Sequence, residues 1–159
     1  MGTFQSAPLA TSYNMSSDLT LVFPRIYLSN VITAHDLPTL KQAGITHIIN
    51  LSGTENAFPD KFKYLTILID DHQSENIHQY FNKTNAFILS TLIGNGRVLV
   101  HCAAGVSRSP TIVIAYLIEH HNFTPQTALK HIRLMRPIVE PNFGFMNQLE
   151  DYFSNLNVM

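Results

Sequence analysis

One stretch of the sequence decides the fold, and it runs Val98-Leu99-Val100-His101-Cys102-Ala103-Ala104-Gly105-Val106-Ser107-Arg108-Ser109-Pro110. Its apolar, β-branched beginning predicts a buried strand that ends at a cysteine. The small residues after the cysteine predict a tight turn, and Arg108 predicts the opening of a helix that continues from about Ser109 to His120. A turn of this kind directs its backbone N–H groups towards one point beside the positive end of a helix, which creates an anion-binding nest.

Cys102 is predicted to lie on the floor of this nest, where the donors that hold a phosphate dianion also favour a thiolate. Arg108 adds a planar fork that can bind two phosphoryl oxygens. The Ser109 hydroxyl can donate to the sulfur and make it a better leaving group. The alternative interpretation is an inert core thiol, which is the usual role of a lone cysteine.

Composition limits the classes of protein that this chain can represent. Its 159 residues suit one domain, and 10 Lys and Arg residues against 11 Asp and Glu residues give a net charge of −1. That balance argues against a nucleic-acid-binding surface. The single cysteine excludes an internal disulfide. The apolar stretch 112–118 is too short to span a membrane.

Strand and helix patterns alternate along the chain after a loose N-terminal region. We expect a flexible arm over residues 1–20 and one domain over residues 21–159. The alternation predicts an α/β domain with a central, mainly parallel β-sheet flanked by helices. The predicted strands are 26–28, 45–51, 62–69 and 97–101, and the predicted helices are 36–43, 77–92, 109–120, one that starts at Thr124 with Pro125 in its first turn, and 143–153.

The residues from His101 to Ser109 resemble the signature loop of cysteine-based phosphatases, and in particular that of the dual-specificity protein phosphatases. The resemblance extends from about Arg25 to Phe153 and includes the segments Ile26-Tyr27-Leu28-Ser29-Asn30, Gly44-Ile45-Thr46-His47-Ile48-Ile49-Asn50 and Arg136-Pro137 to Phe145. The length of the chain suggests a small, atypical member of the family.

This resemblance implies the cysteine-based phosphatase fold and a cysteinyl-phosphate intermediate formed on Cys102, without a cofactor or a metal. The implied phosphate ligands are the Arg108 side chain and the backbone amides of Ala103, Ala104, Gly105, Val106, Ser107 and Arg108. The implied substrates are phosphorylated proteins that carry phosphotyrosine, phosphoserine or phosphothreonine.

A proton donor is also required for the departing oxygen, since positioned acids contribute about 10²–10⁴-fold to such reactions. Matching to the family pattern places Asp71 at the general-acid position, with Asp70 as the alternative. His101 is expected to support the backbone around the nest rather than to react. Asn142 matches a family position whose side-chain amide braces the loop, and it is also a candidate helix N-cap.

Several alternatives remain open from the sequence alone. One is a phosphatase of phosphoinositides, sugar phosphates or RNA 5′-phosphates, although the loop carries no lysine to meet a highly charged headgroup. Another is a binding module without catalysis. The histidines show no metal-ligand spacing. The start Met1-Gly2-Thr3-Phe4-Gln5-Ser6 fits a loose myristoylation pattern at Gly2, which would give only weak membrane contact. A cytoplasmic or nuclear location is expected, and the oligomeric state is open.

Overall fold

A computed structural model describes residues 18–157 of the chain. Its strands are β1 (Thr20–Phe23), β2 (Ile26–Ser29), β3 (His47–Asn50), β4 (Lys63–Thr66) and β5 (Val98–His101). Its α-helices are α1 (Leu37–Gln42), α2 (Phe81–Ile93), α3 (Arg108–His121), α4 (Pro125–Met135) and α5 (Phe143–Leu156). Short 3₁₀ turns occur at Thr33–His35 and His78–Tyr80.

The five strands form one sheet in the order β1-β2-β5-β3-β4. Strands β2, β5, β3 and β4 are parallel, and β1 pairs antiparallel with β2 at one edge. The predicted α/β class with a mainly parallel sheet is therefore confirmed. Because the parallel strands all end at the same edge, the residues that follow them converge there, which is where ligands bind in open α/β sheets.

The central strands β2, β5 and β3 are buried on both faces, and the alternation of side chains along β5 shows how the two cores are divided. Val98 and Val100 point into the larger core, which also contains the buried residues of α3. Leu99 points into a smaller core with Leu40 of α1. Strands buried on both faces carry continuous apolar runs, which is why these segments were recognisable in the sequence.

Helix α3 lies in the centre of the larger core and packs against α2, α4 and α5. Every residue from Ser109 to Ile118 is buried. The helix ends at Asn122, whose φ of 58° gives the left-handed conformation common at helix C-termini. This burial makes the start of α3 a rigid base for the residues at the carboxyl edge of the sheet.

The sequence predicts most elements to within a few residues, including the Thr124 N-cap, which forms a capping box with Thr127. It misses β1. The expected arm over residues 1–20 also differs from the structure at its end, because Thr20 is the first residue of β1 and Asp18 contacts Arg136. The earlier residues and the lipidation pattern at Gly2 lie outside the described part of the chain. No helix within residues 18–157 is long and apolar enough to cross a membrane.

Candidate active site

The nucleophile candidate, Cys102, is the first residue after β5 and is 2% exposed. Its Sγ lies 3.2 Å from Oγ of Ser109. Ser109 is completely buried in the first turn of α3, so strand and helix together fix both atoms. The structure thus brings together the two residues that the sequence predicted as partners.

The five residues between Cys102 and α3 form a loop that we call the nest loop (residues 103–107), and every one of its carbonyl oxygens accepts a hydrogen bond. The donors are Val31 N to Ala103 O (3.1 Å), Arg136 Nη2 to Ala104 O (3.3 Å), Arg136 Nε to Gly105 O (2.9 Å), Glu140 N to Val106 O (2.7 Å), and Thr111 N and Oγ1 to Ser107 O (3.1 and 2.7 Å). These carbonyls therefore point outwards, towards the surrounding protein.

The amides of the nest loop have the opposite orientation. In a planar trans peptide the N–H points away from the carbonyl of the preceding residue. Because the carbonyls of residues 103–107 bind outwards, the N–H groups of residues 104–108 face the concave side. Within the described chain, none of the amides of residues 103–108 donates to a protein acceptor. The loop thus presents unused donors on its concave side, and binding of an anion there remains a prediction.

Gly105 is required by the shape of the nest loop. Its φ is +70°, a conformation that residues with a Cβ rarely adopt. A Cβ at this position would lie 2.7 Å from the carbonyl oxygen of Ser29 and would also meet the Arg136 side chain. The loop can pass this close to β2 only because residue 105 has no side chain.

The Arg108 guanidinium also contains a buried donor that is unused. Its Nη1 donates to the carbonyl oxygen of Ile69 at 3.0 Å, which holds the guanidinium against the segment that follows β4. Its Nε is buried and has no hydrogen-bond partner among the described residues. An unpaired buried N–H is unfavourable, so a ligand oxygen at this point would satisfy it.

Asp71 lies exposed on the segment that follows β4, and its carboxylate is held by Asn142. Nδ2 of Asn142 donates to Oδ1 of Asp71 at 2.9 Å. The Asn142 side-chain oxygen accepts from the backbone N–H of Phe145 at 2.8 Å, which caps α5. Its backbone N–H donates to Oγ of Ser107 at 2.9 Å. Asn142 therefore caps α5, one of the two roles that the sequence left open, but its side-chain amide contacts Asp71 rather than the nest loop, which its backbone N–H contacts instead.

The first turn of α5 also touches the Asp71 segment directly. Gly144 lies so close to the backbone of Gln73 that an added Cβ would be 2.7 Å from the Gln73 carbonyl carbon. Helix α5 thus determines where the segment carrying Asp71 lies relative to the nest loop.

Asp70 points to a different place from Asp71. A cavity of about 300 Å³ lies beside Arg108 and is lined by Ser52, Gly53, Leu68, Ile69, Asp70, Glu75 and Arg108. Asp71 does not line this cavity, although both carboxylates are exposed. The two candidate acids, although adjacent in sequence, therefore have different surroundings.

His101 is 2% exposed, and its Nδ1 has no hydrogen-bond partner among residues 18–157. Burial lowers the pKa of His101 to about 4, and the nearby His35 acts in the same direction against an opposite effect of the Cys102 backbone. The imidazole is consequently neutral near pH 7, and its role in supporting the backbone around the nest remains a prediction.

Two contributors to the site were not identified from the sequence. Arg136 is 4% exposed and binds two carbonyls of the nest loop, and Asp18 pairs with it at 3.1 Å. Arg136 appeared only as part of a segment that supported the resemblance. Asp18 gave no signal, because it falls in a stretch without periodicity.

The described residues contain no group of three or more His, Cys, Asp or Glu side chains arranged to hold a metal ion. The expectation of a reaction without a metal remains a prediction.

The sheet, the nest loop and the buried helix that follows it define a phosphatase domain of the cysteine-based class. Residues 26–155 match the family model described as the dual specificity phosphatase catalytic domain. The chain therefore belongs to the dual specificity phosphatase family, as the resemblance predicted.

Individual relatives agree with this assignment. The chain is 42% identical over 132 residues to a protein phosphatase Slingshot homolog of Xenopus laevis, a match that covers 82% of this chain and 19% of that relative. It is 36% identical to dual specificity protein phosphatase 1 of Arabidopsis thaliana, with 94% of this chain and 76% of the relative covered. The chain thus spans only about a fifth of the Slingshot homolog but most of the plant protein.

A solved structure shows the same fold. The human tyrosine phosphatase-like serine/threonine/tyrosine-interacting protein superimposes with a TM-score of 0.84 at 34% identity. The match covers 87% of this chain and 97% of the human one.

Proposed function

We propose that this protein hydrolyses phosphate monoesters on the tyrosine, serine and threonine side chains of proteins, through a phosphorylated cysteine. The observation that carries the proposal is the set of unused donors around Cys102: the amides of residues 103–108 and Nε of Arg108. Six amides and one guanidinium N–H suit the three non-bridging oxygens of a phosphate. Such preorganised donors stabilise the charge that develops in the transition state.

In the first step, the Cys102 thiolate attacks phosphorus on the side opposite the ester oxygen. The S–P bond forms as the P–O bond to the substrate breaks. Asp71 gives its proton to the departing oxygen, so that a neutral alcohol or phenol leaves. The nest-loop amides and Arg108 hold the equatorial oxygens throughout, since phosphoryl transfer depends mainly on positioning and electrostatics.

In the second step, water hydrolyses the cysteinyl phosphate. Asp71, now ionised, accepts a proton from the water as the water oxygen attacks phosphorus. The S–P bond breaks, and the sulfur leaves as a thiolate that accepts a hydrogen bond from Ser109, 3.2 Å away. Inorganic phosphate is released, and the enzyme returns to its starting state.

The charges around the nest support a protein substrate over a polyanionic one. The nest loop contains no lysine, and Arg108 is the cation at its end. Asp70 and Glu75 line the adjacent cavity, and Asp71 lies on the same segment. Carboxylates in these positions repel a second or third phosphate group, whereas a phosphorylated side chain brings only one.

The test is a side-by-side assay of phosphate release from phosphotyrosine and phosphothreonine peptides, phosphoinositide vesicles and RNA with a 5′-triphosphate, with Cys102→Ser as the blank. We expect the highest kcat/KM for the phosphopeptides. A higher value for vesicles or RNA would overturn the protein-substrate part of the proposal. Release no faster than the Cys102→Ser blank from every substrate would overturn the catalytic part.

A further inference from the structure

The nest loop is held in shape through five outward-pointing carbonyls, and these carbonyls differ in which group donates to them. The carbonyls of Ala103 and Val106 accept from backbone N–H groups, and the carbonyl of Ser107 accepts from Thr111 in the first turn of α3. The other two, of Ala104 and Gly105, accept from a single side chain, Arg136. Because each outward carbonyl turns the following N–H inwards, Arg136 orients the amides of Gly105 and Val106.

Arg136 can orient these amides only if its own guanidinium is held in place. Asp18, just before β1, and Thr20, within β1, hold it there. Its Nη1 donates to the carbonyl oxygen of Asp18 and to Oγ1 of Thr20, both at 2.9 Å. Its Nη2 lies 3.1 Å from Oδ1 of Asp18. Three nitrogens of one planar guanidinium are thus shared between the nest loop and the chain before β2.

The Asp18 carboxylate is also linked, through the backbone of Asn30 and Val31, to the carbonyl of Ala103. Its Oδ2 accepts from the backbone N–H of Asn30 at 2.6 Å. The next residue, Val31, donates its N–H to the carbonyl of Ala103. Asp18 therefore supports the contacts that fix three successive peptide groups of the nest loop, which are those of the Ala103, Ala104 and Gly105 carbonyls. It lies outside residues 26–155, the part that matches the family model.

We propose that Asp18 and Arg136 are positioning residues for phosphate binding, and that the chain before β1 is thereby coupled to the active site. This inference rests on the proposed function, because it concerns how the nest holds the phosphate. Neither residue touches the substrate. They set the direction of amides that do, so their loss weakens oxyanion binding even in protein that remains folded.

The experiment measures the inhibition constant of inorganic phosphate, together with kcat, KM and Tm, for Asp18→Asn and Arg136→Met. Asp18→Asn keeps the shape of the side chain but removes its charge. Arg136→Met removes the donors and keeps an apolar stem of similar length. Asp36→Ala is the matched control, since Asp36 caps α1 through Thr39 and has no hydrogen bond to the nest loop.

We expect both test variants to weaken phosphate inhibition by about tenfold, the size of one lost charge-assisted hydrogen bond. KM should rise by a similar factor, with a smaller change in kcat. The Asp36→Ala control should lower Tm and leave the phosphate inhibition constant unchanged. This combination separates a positioning effect from a general loss of stability.

Three outcomes would overturn the inference. If both test variants lose stability as the control does but keep the wild-type phosphate constant, their role is purely structural. If Arg136→Met does not fold, the Asp18→Asn variant decides alone, and an unchanged constant rejects the coupling. Wild-type protein that phosphate does not inhibit at all would instead reject the proposed phosphate site, and this inference with it.

Discussion

The side-chain amide of Asn142 donates to the carboxylate of Asp71 at 2.9 Å, across 71 residues of sequence. The same residue caps α5 and touches Ser107 of the nest loop. One asparagine thus joins the segment that carries the proposed acid to the loop that binds the phosphate. A change in the position of α5 would therefore move the acid relative to the phosphate site.

The link through Asn142 predicts different results for two substitutions. Asn142→Asp keeps a good N-cap but loses the amide donor and places a second carboxylate beside Asp71. Because this pair is exposed to solvent, we expect only a small fall in the free energy of unfolding, together with a lower kcat. Asn142→Ala loses both contacts, so the free energy of unfolding should also fall by about 0.5–2 kcal/mol.

Urea unfolding and steady-state kinetics on both Asn142 variants test this. Equal kcat for Asn142→Asp and the wild type would show that the contact with Asp71 has no role in turnover.

The choice of proton donor predicts a dependence on the leaving group. Asp71→Asn should lower kcat by about 10²–10⁴-fold for alkyl phosphates, whose oxygen leaves poorly without a proton. For aryl phosphates with acidic phenols, which leave without a proton, the first step should be little affected, and the smaller fall in kcat should come from slower hydrolysis of the cysteinyl phosphate. Asp70→Asn is the matched control, because it removes the neighbouring exposed carboxylate.

Kinetics on a series of phosphate esters with different leaving-group acidity measure this dependence. If the leaving-group effect follows Asp70→Asn instead, then Asp70 is the acid.

The 3.2 Å contact between Cys102 and Ser109 predicts an effect on the second step. Ser109→Ala removes the donor that stabilises the departing thiolate, and a hydrogen bond to a charged group contributes about 1.5–3 kcal/mol. Hydrolysis of the cysteinyl phosphate should slow by roughly 10–100-fold, so the intermediate accumulates.

Stopped-flow assays with an aryl phosphate should then show a burst of phenol release equal to the enzyme concentration. Ser90→Ala, on the exposed side of α2, serves as the control and should behave as the wild type. Steady release without a burst in Ser109→Ala would contradict this role of the hydroxyl.

The buried His101 predicts a loss of stability in mild acid. Its pKa is about 4 in the folded chain against 6.5 ordinarily, so only the unfolded chain takes up the proton between these values. The contribution of His101 to the free energy of unfolding is therefore fully present well above pH 6.5. It is lost as the pH drops towards 4, by about 1.4 kcal/mol per pH unit at most.

Urea unfolding at pH 7 and pH 5 measures this slope. His101→Gln should flatten it, whereas His72→Gln, at an exposed position, should not. An unchanged slope in His101→Gln would show that another group causes the acid sensitivity.

Most of the secondary structure was predictable, because its signals are local. The run from Val98 to Pro110 specifies strand, turn and helix through residues that are adjacent in the sequence. The structure has β5, the nest loop and the start of α3 in those places. Strand β1 was missed, since four residues that pair at an edge after an aperiodic stretch give little periodicity.

The sequence by itself determined the class of fold, the cysteine at the end of the central strand, and the serine and arginine that follow it, because these depend on short-range periodicity and turn chemistry. Only the tertiary structure decided what holds the site in shape. Asp18 and Arg136 are 118 residues apart and meet at the back of the nest loop. Contacts of this kind arise from how sheet and helices pack, and no local pattern encodes them.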